Sequence, residues 1–250
     1  MASAEQLWQS VRREAAAVAA GDPVLAASLA KSVLDHPSLG SALALQIGQR
    51  LGANDEDRAR YSRIAGEAFA AAPDLVEAAS LDLAGIVDHD PATTALLPPL
   101  LNFKGYVALQ AWRVSNWLWQ AGRRDFALLM QSASSERLQV SIHPSAAIGT
   151  SVFLDHATGI IIGALSAVGD GATILQNVTI GRAAENPARA PRIGRGVLLS
   201  SGSSVIGDVA IGDYARIGAG AVVTHDVPAG CTAVGVPARL TNCPDGAIPA

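Results

Sequence analysis

Cysteine, aromatic side chains, basic excess and long apolar runs are all scarce in this sequence, and each scarcity excludes something. Only two cysteines, Cys231 and Cys243, stand in 250 residues. They do not make a disulfide framework, and as two thiols they suit a reducing compartment. No stretch approaches the roughly 18 apolar residues of a membrane span. The N-terminus, MASAEQLWQSVRREA, carries Glu5, Arg12, Arg13 and Glu14 early and lacks the apolar core of a secretory signal. Lys and Arg number 18 against 22 Asp and Glu, for a net charge of −4, which argues against the basic surface of a nucleic-acid binder. Charged residues make up 16% and hydrophobic ones 50%, enough for a sizeable core in one large domain or two small ones. The expectation is a soluble, cytoplasmic protein with neither nucleic acid nor membrane as partner.

The chain has two periodicities. Before about residue 140, apolar residues recur at helical spacing: Leu7, Val11, Ala15 and Val18; then Leu25, Leu29 and Val33 behind the start signal Asp22-Pro23. Leu43, Ile47 and Leu51 make a third stripe, and Pro73-Asp74 opens a fourth with Leu75, Leu83 and Ile86. A fifth runs through Val107, Ala111, Val114 and Leu118 and closes at Gly122. These stripes predict packed helices.

After residue 140 the period is six. Ile142, Ile148 and Leu154 lead to Ile162, Val168, Ile174 and Ile180, then to Ile193, Leu199, Val205, Ile211, Ile217 and Val223. Four residues after most of them lies a small or β-branched residue, from Ala146, Val152 and Thr158 to Val227. Six residues suit one short strand and one tight turn, and three such units close a triangular coil with its aliphatics inward. A lone coil cannot bury its own face, so coils must stack, at about 4.8 Å along the axis. The fold class expected is α+β, an all-helical domain followed by a parallel β-helix. The divisions are 1–139, 140–240 and a short tail, 241–250.

Two interruptions break the period. The first is two residues long and falls within LDHATGIIIG (154–163), where Asp155 and His156 are titratable groups amid repeat core. The second is GRAAENPARAPR (181–192), which predicts a loop over 182–192 leaving the solenoid.

With these residues on the page, the chain resembles the serine acetyltransferases, hexapeptide-repeat enzymes that move acetyl from acetyl-CoA to the hydroxyl of L-serine. The resemblance rests on KGYVALQAWR (104–113), NWLWQAGRR (116–124), IHPSAAIG (142–149), LDHATGIIIG, ILQNVTIG (174–181), IGAGAVV (217–223) and GVPAR (235–239). It implies that the β-helix is left-handed and that chains form a homotrimer or a dimer of trimers. Acetyl-CoA would be co-substrate, with no metal. His156 matches the general base, and an imidazole suits that role because its unperturbed pKa of about 6.5 lets it take and return a proton near neutrality. Asp155 matches a group that helps hold the substrate, and Arg189 one that meets its carboxylate. Backbone around Ala219 and Gly220, with Arg239, matches the CoA side.

The same resemblance exposes departures. Ser141 stands where the family has an aspartate orienting the base, Ala190 where it has a histidine, and Thr94 where an aspartate helps hold the ammonium. A carboxylate behind a base histidine stabilises the imidazolium, and its loss can lower rates by orders of magnitude. Three outcomes are therefore open: a serine acetyltransferase with a reduced acid–base set, a CoA-dependent acyltransferase with a different small acceptor, or a catalytically silent homologue. A three-histidine metal site is not expected, since His143, His156 and His225 have no close pair. His143 reads as a turn residue and His225 as solvated. The family often docks to the next enzyme of cysteine synthesis through a terminal isoleucine. Ile248 is not terminal, so that partner is not expected here.

Overall fold

The computed structural model describes residues 3–181 and 189–244. Its first half is helical: α1 (Ala4–Gly21), α2 (Pro23–Leu29), α3 (Leu39–Leu51), α4 (Asp55–Ala71), α5 (Pro73–His89), α6 (Leu97–Asn102), α7 (Lys104–Gln120) and α8 (Arg124–Leu138). A π-helical turn, Ala30–Leu34, extends α2. The start signals act as expected. The Asp22 carboxylate accepts from the Val24 amide at 3.0 Å, and Pro73 opens α5.

Three helices were not expected from the sequence. In α4 the buried residues Tyr61, Ile64, Ala65, Ala68 and Phe69 form a stripe obscured by alanine and charge, while the Asn54 cap and the acids Asp55, Glu56 and Asp57 mark its start. Helix α6 is too short to show a period, and α8 buries only Ala127, Met130, Ser134 and Leu138. In α1 the buried stripe runs Ala4, Leu7, Trp8, Val11 and Ala15, leaving Val18 39% exposed rather than in the core.

The second half is a three-sided parallel β-helix. One face stacks Val140–Ile142, Ile160–Ile162, Thr179–Gly181, Ser204–Ile206 and Val222–Val223. The second stacks Ala147–Ile148, Ala167–Val168, Arg192–Ile193 and Ala210–Ile211. The third runs from Phe153–Leu154 to Thr232–Val234, and Arg239–Thr241 pairs antiparallel on its last rung. The register aligns the period-six residues in columns: Ile142, Ile162, Ile180, Val205 and Val223 lie one above another. Ile148, in the first coil, is only half-buried.

Among the described residues, those four positions on are also buried, with one exception: Thr158 is exposed and Ala157 takes its place in the core. The two extra residues of the first interruption cause this shift. The second interruption is shorter than expected at its far end. Ala190 and Pro191 are buried and Arg192 has rejoined a strand, while residues 182–188, including Arg182, Ala183 and Ala184, lie outside the described residues, as does Ile248.

The cysteines also differ from expectation. Cys231 and Cys243 are bonded to each other rather than being two free thiols. Cys231 is fully buried in the last coil, and the bond ties the chain beyond Arg239–Thr241 back onto it.

One hydrophobic core runs through both halves. Asp82 on α5, fully buried, anchors the junction. One of its oxygens accepts from Arg113 Nε at 3.0 Å, Arg113 Nη2 at 2.7 Å and Gln110 Nε2 at 3.0 Å. The other accepts from the Val152 amide in the solenoid at 3.2 Å. Arg113 also donates to the Gly149 carbonyl at 2.7 Å. Burial pushes the Asp82 carboxyl above its ordinary pKa, against the pull of Arg113 and Gln110. Among the described residues, no helix is long and apolar enough to cross a membrane.

Candidate active site

Three segments meet where the helical half rests on the first coil: residues 90–95 after α5, the junction of α6 and α7, and the turn after Leu154. They line a cavity of about 680 Å³ whose walls include Asp90, Thr94, Lys104, Asp155 and His156. The structure therefore brings together three of the residues singled out from sequence, Thr94, Asp155 and His156.

The turn explains how. His156 and Ala157 adopt left-handed backbone at φ 54° and 60°, and Gly159 follows at 78°. Such a conformation disfavours a non-glycine residue by about 1–2 kcal/mol, so surrounding contacts must hold it. They do. The Asp155 amide donates to the Ile174 carbonyl at 2.9 Å, the Gly159 amide to Gln139 at 2.8 Å, and the Asn177 amide to Thr158 at 2.7 Å. Helix α7 presses on the turn through Gly105, where a Cβ would collide with the Leu154 carbonyl oxygen. The result presents His156 outward, its side chain 75% exposed, with Nε2 3.8 Å from Asp155 Oδ1. That separation is too long for a hydrogen bond, and it becomes an ion pair only when the imidazole is protonated.

The wall opposite is set by Asp90. Its carboxylate accepts from the Ala92 amide at 2.9 Å and the Thr93 hydroxyl at 2.7 Å, fixing the chain that presents Thr94. Lys104 donates to Thr158 Oγ1 at 2.6 Å. Neither Asp90 nor Lys104 was assigned a role from sequence. For Lys104 the signal was there, since it opens KGYVALQAWR, one of the segments carrying the family resemblance.

The other candidates lie elsewhere in the chain. The Ser141 hydroxyl accepts from Gln131 Nε2 of α8 at 3.1 Å. Arg189 and Arg192 both donate to Asp208, at 2.6 and 3.1 Å, and hydrogen bonding from this pair holds the Asp208 carboxyl below its ordinary pKa. Ala190 is buried, Ala219 and Gly220 are exposed at a turn, and the Gly220 amide donates to Ser201. Arg239 is exposed on the final antiparallel strand. His143 packs edge-on to Trp119 while its Nδ1 accepts from the Ser145 amide, as befits a turn residue, and His225 is exposed. Among the described residues no three His, Cys, Asp or Glu side chains cluster as metal ligands would.

The geometry has counterparts among known proteins. Residues 7–111 match the family model for the N-terminal region of serine acetyltransferase, and residues 190–225 match the bacterial transferase hexapeptide repeat. The serine acetyltransferase of Salmonella typhimurium is 39% identical over 96% of this chain and 88% of its own. A serine acetyltransferase solved in complex with CoA superposes with a TM-score of 0.92 at 35% identity, covering 95% of this chain and all of that one. The Neisseria gonorrhoeae serine acetyltransferase solved with serine gives 0.89 at 41% identity, covering 93% and 96%. Likeness of this extent, across both halves and through the turn that presents His156, shows that the chain belongs to the serine acetyltransferase family.

Proposed function

We propose that this protein transfers acetyl from acetyl-CoA to the hydroxyl of L-serine, with His156 as general base. The observation that carries the reading is the placement of His156. A strained turn pushes its imidazole outward beside Asp155, at the rim of a cavity large enough for a small acceptor. His156 takes the hydroxyl proton as the serine oxygen attacks the thioester carbonyl. The tetrahedral intermediate collapses, and the imidazolium returns the proton to the departing CoA sulfur. Asp155 stabilises that imidazolium through the 3.8 Å charge contact and faces the acceptor.

Arg189, at the end of the second interruption, would meet the acceptor carboxylate, using donors that Asp208 leaves open. The CoA side would engage the exposed turn at Ala219 and Gly220 together with Arg239, whose cation suits phosphates. These residues lie outside the cavity of a single chain. A site completed by a neighbouring protomer fits that separation, so a homotrimer, or a dimer of trimers, is part of the proposal. Acetyl-CoA as donor fits a cytoplasmic location.

A second reading has its own support. Thr94 lines the cavity with a neutral hydroxyl where the family pattern has a carboxylate, so that wall is less anionic. A less charged acceptor would then compete with serine. Thiol release from acetyl-CoA, measured with and without L-serine, decides between them. Serine-dependent release that His156→Ala lowers at least about a hundredfold supports the first reading. Release that depends only on another small alcohol or amine supports the second. No release with any acceptor sinks both.

A further inference from the structure

We infer that Lys104 is a positioning residue for the reaction proposed above: it clamps the strained turn that presents His156, acting through Thr158. Lysine is rare here, with only Lys31 and Lys104 among 18 cations, the rest being arginine. Lys104 occupies the first residue of α7, a helix with no acidic residue in its first turn and no side-chain cap. A cation there opposes the helix dipole, so helix stability does not account for it. Its ammonium reaches across to the solenoid and donates to Thr158 Oγ1 at 2.6 Å, a link spanning 54 residues of sequence. Thr158 is the residue that the two-residue interruption turned out of the core, and its amide donates to the His156 carbonyl at 2.8 Å.

The clamp has two jaws. Gly105 brings the α7 backbone against Leu154 and Ala157, below the turn. Lys104 fastens the turn's far side. Between them lie the two left-handed residues, His156 and Ala157. The need is greater here because Ser141, at the position expected to orient the imidazole, is bonded to Gln131 instead. Backbone placement then sets where the base stands. A compact ammonium serves better than a guanidinium for a single short bond to a hydroxyl.

Because the inference rests on the acetyl-transfer reading, the test carries a measurement independent of turnover. Lys104→Met, Thr158→Val and the double variant would be compared with the parent, full-length protein. A misplacement near 1 Å lowers rate by about a hundredfold, so each single variant should lose ten- to a hundredfold in kcat, with KM for acetyl-CoA unchanged. The double variant should fall no further than the worse single. Additive losses, or wild-type kcat in Thr158→Val, would overturn the inference. So would a rise in acceptor KM alone in Lys104→Met, which would make Lys104 a substrate contact. Hydrogen exchange over residues 154–160 should quicken in both single variants whether or not the protein turns over. Unchanged exchange there would overturn the clamp, while absent turnover in the parent would count only against the acetyl-transfer reading.

Discussion

Gly105→Ala is the substitution in which two well-known effects oppose each other most clearly. Gly105 lies in the first turn of α7 and is not among the glycines with positive φ. Helix propensity alone therefore favours alanine, by about 0.5–1 kcal/mol. The structure predicts the opposite outcome. The new Cβ would collide with the Leu154 carbonyl oxygen and stand 3.0 Å from the Leu154 and Ala157 side chains. None of these is the end of a flexible side chain that could swing away. Overpacking of this kind destabilises by about 1–3 kcal/mol, which outweighs the helix gain. Relief requires α7 and the 154–159 turn to separate by a fraction of an ångström or more, carrying His156 with them. Since about 1 Å of misplacement can lower rate a hundredfold, kcat for serine-dependent thiol release should drop much more than stability does. The assay pairs that kcat with the thermal midpoint. A variant with unchanged kcat and a raised midpoint would refute the close approach and the positioning argument built on it.

Ser141→Ala should leave kcat within about twofold and lower stability by about 1 kcal/mol, the size of one lost hydrogen bond to Gln131, because the hydroxyl is engaged with α8 rather than with the base. Arg113→Met should destabilise by about 3–5 kcal/mol, since it strands the Asp82 carboxylate in the core between the two halves. Burial already raises the Asp82 pKa, and losing Arg113 raises it further. Protonating the carboxyl removes the stranded charge, so the variant's deficit should shrink as pH falls and grow as pH rises through that elevated value; denaturant titrations at several pH values check this. Cys243→Ser should lower stability by about 2–4 kcal/mol by opening the loop that the Cys231 bond closes, with kcat unchanged; equal unfolding midpoints with and without a dithiol reductant would contradict it.

Much of the fold was legible because repetition is a local signal. Every period-six aliphatic from Ile142 to Val223 found its column, since each unit obeys the same steric rule as its neighbours. Helix α4 was missed for the converse reason: alanines Ala65 and Ala68 stand between the larger residues of its buried stripe and its surface carries many charges, so the stripe is diluted. The site was legible in part. Asp155 and His156 announce themselves by interrupting a period. Lys104 and Asp90 do not, because their importance depends on how α5 and α7 come to rest on the first coil. Nor does sequence tell that the Ser141 hydroxyl turns to Gln131, or that two cysteines twelve residues apart meet once a strand reverses.

That reversal bears on how the solenoid ends. A parallel stack is open in principle, because each coil offers the next the backbone groups that the coil beneath offered it. Helices α7 and α8 close off the first coil. At the other end Arg239–Thr241 runs against the strand it pairs with, and Cys231–Cys243 fastens it there. A reversed strand presents the wrong polarity of amides and carbonyls to a parallel newcomer. The solenoid thus carries its own terminator, and a closed stack results where a fibre built from the same rungs would otherwise be free to grow.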